Sequence, residues 1–122
     1  MNQKNIFSVI SVVLILQGVA FYFMKDQMVT DTFPGLDAAG YLALTKLMEV
    51  VCALSILLGL VTYANRNTPG VVWAFTLGTL VLVLVTSKHM FMDKVNVPLA
   101  AFIIQLLILL SCAYLWSKQK PA

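Results

Sequence analysis

Charge is what this chain has little of. Asp, Glu, Lys and Arg make up 11% of its 122 residues, and they are unevenly spread. None occurs between Lys4 and Lys25, Glu49 and Arg66, Arg66 and Lys88, or Lys94 and Lys118. Cysteine is scarcer still. Cys52 and Cys112 show no Cys-x-x-Cys spacing, and on straight helices they fall about 10 Å apart in depth, too far for a disulfide between facing positions. Thiol redox catalysis is therefore disfavoured. Clustered basic residues are confined to Lys118-Gln119-Lys120, which reads as an anchor on the inner side of a membrane and not as a nucleic-acid site.

What remains is apolar. At 61% hydrophobic, a chain of 122 residues carries far more apolar surface than one soluble core of that length needs. The expected class is an all-α integral membrane protein, with the lipid bilayer as its first partner. At about 20 residues per crossing, the charge-free runs predict a single transmembrane domain, an up-down bundle of four transmembrane helices. These are expected near residues 6–24, 41–63, 71–91 and 97–116, with Gly18, Gly59 and Gly78 as points of close helix approach. Lys4 before an apolar run and Gly18-Val19-Ala20 resemble a secretory signal, but Phe21-Tyr22-Phe23-Met24 extends the run to spanning length, so it reads as the first helix.

The connections are short and polar, with one exception. Arg66-Asn67-Thr68-Pro69-Gly70 breaks the chain between the second and third helices, and Asp93 to Pro98 turns it into the fourth. Lys25 to Gly40, holding Phe33-Pro34-Gly35-Leu36, has room either to fold back over the bundle or to form a plain solvated loop. Lys4, Arg66, Lys118 and Lys120 lie at the end shared by both termini, against Lys25, Lys88 and Lys94 at the other. The expected location is a bacterial inner membrane with both termini cytoplasmic. Trp73, Trp116 and Tyr63 then form an inner aromatic belt, with Tyr22, Phe23, Tyr41 and Phe91 in the outer one.

Gln17, Lys46, Glu49, His89 and Gln105 interrupt the apolar runs. Such side chains cost several kcal/mol in hydrocarbon unless they find a partner or a water-filled cavity. In the expected topology Gln17, Glu49 and Gln105 sit about 10–12 Å below the outer boundary, with Lys46, His89 and Thr45 nearer to it. They outline an outward-opening pocket in which Glu49 and His89 exchange protons and Gln17, Thr45, Lys46 and Gln105 form the lining. Helical spacing puts Thr45, Lys46, Glu49, Cys52 and Ile56 on one stripe, and Ala74, Gly78, Leu82, Val85 and His89 on another. A plainer reading has Lys46 and Glu49 neutralise each other at i,i+3, the two glutamines bond across the bundle, and Asp93 hold His89.

No metal is assigned, because no known ligand spacing is present. Met24, Met28, Met48, Met90 and Met92 with His89 would suit Cu(I), or else serve as adaptable filler. The stretch Lys46-Leu47-Met48-Glu49-Val50-Val51, an apolar helix ending in Arg66, then Trp73-Ala74 and a third helix ending in His89, resembles DoxX-like small four-helix membrane proteins. The resemblance covers roughly residues 41–120. It implies a four-helix bundle with both ends inside, an accessory or quinone-associated subunit of a membrane redox assembly, and Glu49 and His89 as the functional residues. The alternative is a binding or transport module for a small lipophilic molecule or ion that performs no chemistry.

Overall fold

A computed structural model describes residues 2–119, and the regular elements among them are helical. The α-helices are α1 (Gln3–Thr32), α2 (Ala38–Ala64), α3 (Val72–Phe91) and α4 (Leu99–Lys118), with a 3-10 turn at Pro69–Val71 before α3. All four are long and apolar enough to cross a membrane. Leu16, Leu54, Leu84 and Leu110, one from each helix, all point outward, a surface that lipid tails solvate readily.

Length separates the helices into two pairs. At 1.5 Å per residue the 20 residues of α3 and of α4 measure roughly 30 Å, the thickness of a bilayer's hydrocarbon; the 30 of α1 and 27 of α2 exceed it by roughly 10–15 Å. The expectation of a long loop from Lys25 is corrected here, because α1 continues as helix to Thr32. Lys25 to Thr32 contains neither Gly nor Pro, Gln27 Nε2 donates to Asp31 Oδ1 one turn on at 2.8 Å, and Met28 and Val29 are buried. Hydropathy marks where the apolar run ends, not where the helix stops.

The stop is local chemistry. Pro34 disfavours helical backbone at the residue before it, and Gly35 takes φ +87°, a left-handed conformation that suits glycine. Asp37 Oδ1 then accepts the Gly40 N–H at 2.7 Å, capping the start of α2.

The chain forms two compact units: Ser8–Ala64, and the described residues up to Phe7 together with those from Asn65 onward. In the first, α1 and α2 run antiparallel with their backbones in contact. A Cβ on Gly18 would stand 2.7 Å from both the Cys52 carbonyl oxygen and Ile56 Cγ1; one on Gly59 would stand 2.7 Å from Ile15 Cγ1 and 2.9 Å from the Ser11 carbonyl oxygen. Ser55 Oγ donates across the pair to the Leu14 carbonyl at 2.9 Å. In the second unit α3 packs on α4, and the rings of Phe7 and Phe75 meet at 5.1 Å. Gln3 Nε2 donates to the Thr68 carbonyl and Gln119 Nε2 to that of Pro69, each at 2.8 Å. Gly78 does not act as a close-approach point, because nothing lies within 4 Å of where its Cβ would be.

Candidate functional site

Side chains on an α-helix lean toward its N-terminus. On antiparallel helices this lean makes residues at different levels converge. Lys25 on α1 leans back toward Tyr22, and Glu49 on α2 leans back toward Lys46. Lys25 Nζ lies 3.8 Å from Glu49 Oε1, and Lys46 Nζ lies 3.2 Å from the same oxygen and 3.5 Å from Oε2. The carboxylate is thus held between two ammonium groups.

The two lysines are not equivalent. The Lys25 side chain is only 18% exposed, donates to the Tyr22 carbonyl at 3.4 Å and sits 4.1 Å over the Tyr22 ring, a cation–π contact that fixes the ammonium. Lys46 is 65% exposed and tied to the cluster through Glu49. Asp26, next to Lys25 in the chain, lies near the Tyr41 side chain of α2.

Glu49 also closes one end of an apolar groove of 280 Å³. Val19, Tyr22 and Phe23 line it from α1, and Cys52, Ala53 and Ile56 line it from α2. Tyr22 and Phe23 pack edge to face at 5.6 Å. Close approach at Gly18 sets the depth of the groove, because the backbones touch beneath it while Ala53 offers only a methyl group above. The result is an apolar trough with an ionic end.

Of the remaining residues expected at the site, Thr45 and His89 have local partners. Thr45 is buried and donates to the Tyr41 carbonyl of its own helix at 2.8 Å. Gln17 and Gln105 each carry a buried amide oxygen that accepts no hydrogen bond among the described residues. His89 Nε2 lies 3.9 Å from Asp93 Oδ2, to which Lys88 also donates at 3.3 Å, and the imidazole is 48% exposed. The structure thus groups Glu49 with Lys25 and Lys46 in one unit, and His89 with Lys88 and Asp93 in the other.

Met24 is exposed and Met28 buried, although they share a helix face, and Cys52 and Cys112 are buried free thiols. Among the described residues no three His, Cys, Asp or Glu side chains are grouped to hold a metal ion. Of the basic tail, Lys118 lies over the Tyr114 ring at 5.6 Å, and Lys120 lies outside the described residues. Lys25 is the member that sequence reasoning missed. It reads there as one of the basic residues at the outer end, and the signal that would have found it is the direction of its side chain, back along α1 toward Glu49.

No protein-family model, curated protein or solved structure matches the chain.

Proposed function

We propose that the chain is an integral membrane protein, an up-down bundle of four spanning helices with both termini cytoplasmic, that binds a small amphiphilic molecule in the groove between α1 and α2. One observation carries this reading: an apolar trough ends in a charged cluster, so one surface offers hydrocarbon contact and a polar anchor together. Glu49 acts there as an organising counter-ion. Its carboxylate, 3.8 Å from the Lys25 ammonium and 3.2 Å from that of Lys46, holds both charges at the end of the groove.

Isolation from native membranes in mild detergent, followed by extraction of bound small molecules, tests this. Wild type should retain an amphiphile, and Ala53→Phe, which fills the groove from its exposed side, should lose it while unfolding at the same temperature. Equal retention by both proteins would reject the groove. Single cysteines in place of Asp31 and Arg66 should be labelled from opposite faces of the membrane, Asp31 from outside; labelling of the Arg66 site from outside would invert the topology.

A second reading follows from the resemblance of Lys46 to Glu49 and of His89 to DoxX-like proteins. The groove then receives a quinone ring against Tyr22 and Phe23, and the protein serves as an accessory subunit of a membrane redox assembly in which Glu49 or His89 exchanges protons. The observation favouring it is the aromatic pair at the mouth of the groove. A quinone in the extract, or a stable redox partner in the isolated complex, would select this reading over the first.

A further inference from the structure

We draw no further inference here: the strongest candidate, the exposed face of α3 that carries Ala74 and Gly78, has the small residues that let another helix approach closely, but nothing in the structure shows what covers it.

Discussion

In the Ser8–Ala64 unit polar side chains reach from one helix to the other, whereas Thr76, Thr79, Lys88 and His89 of α3 and Ser111 of α4 bond within their own segments. Ser55 bonds to the backbone of α1, and Lys25 of α1 meets Glu49 of α2. Thr76, Thr79 and Ser111 instead donate to carbonyls one turn back in their own helices, and His89 and Lys88 share an aspartate four and five residues on. Helix association in lipid has little hydrophobic drive and relies on close packing and on polar contacts between helices. The α1–α2 pair uses both, and the same close approach leaves a groove beside it. A charge cluster drawn from two helices has a geometry set by tertiary structure, which is what a binding site requires; a cluster drawn from one turn does not depend on the fold in that way.

Glycine substitutions should separate the two regions most widely. Gly18→Ala puts a methyl group against the Cys52 carbonyl, which is backbone and cannot swing aside, so the protein should lose about 1–3 kcal/mol of stability in unfolding titrations in mixed micelles. Gly78→Ala meets open space and should be neutral or stabilising by up to about 1 kcal/mol, through helix propensity. A loss at Gly78 equal to that at Gly18 would erase the distinction. Ser55→Ala comes next, with an expected loss of about 0.6 kcal/mol in the same titration, the average for an interhelical hydrogen bond in a membrane protein. The smallest effect belongs to His89→Asn. Its half-exposed pairing with Asp93 should contribute less than about 0.5 kcal/mol, and a larger loss would mean that the imidazole has a tertiary partner.

The helices were legible because charge-free runs mark hydrocarbon, and each expected span lies within or close to the observed helix. Their ends were less legible where the helix outruns the apolar run. Lys25 to Thr32 is polar enough to read as loop, yet nothing in it breaks a helix before Pro34. The Lys46–Glu49 pair was readable from its i,i+3 spacing, and so was the His89–Asp93 pair from i,i+4. Lys25 was not, since its place beside Glu49 depends on the register that puts Gly18 opposite Cys52 and Ile56, and no single-helix pattern records a register between helices. Gly78 shows the same limit from the other side. A glycine permits close approach, and only the neighbouring helix decides whether the permission is used.

A functional surface on α1–α2 must differ from an arbitrary exposed position on another helix. A photo-reactive benzoylphenylalanine in place of Phe23, in the groove lining, compared with one in place of the exposed Leu84 on α3, addresses it most directly. After illumination in native membranes, the position-23 protein should carry one predominant small-molecule adduct, which Ala53→Phe removes. The position-84 protein should carry only the heterogeneous adducts of bulk lipid, unchanged by Ala53→Phe. The same adduct mixture at both positions, equally indifferent to Ala53→Phe, would rule out a binding surface on α1–α2.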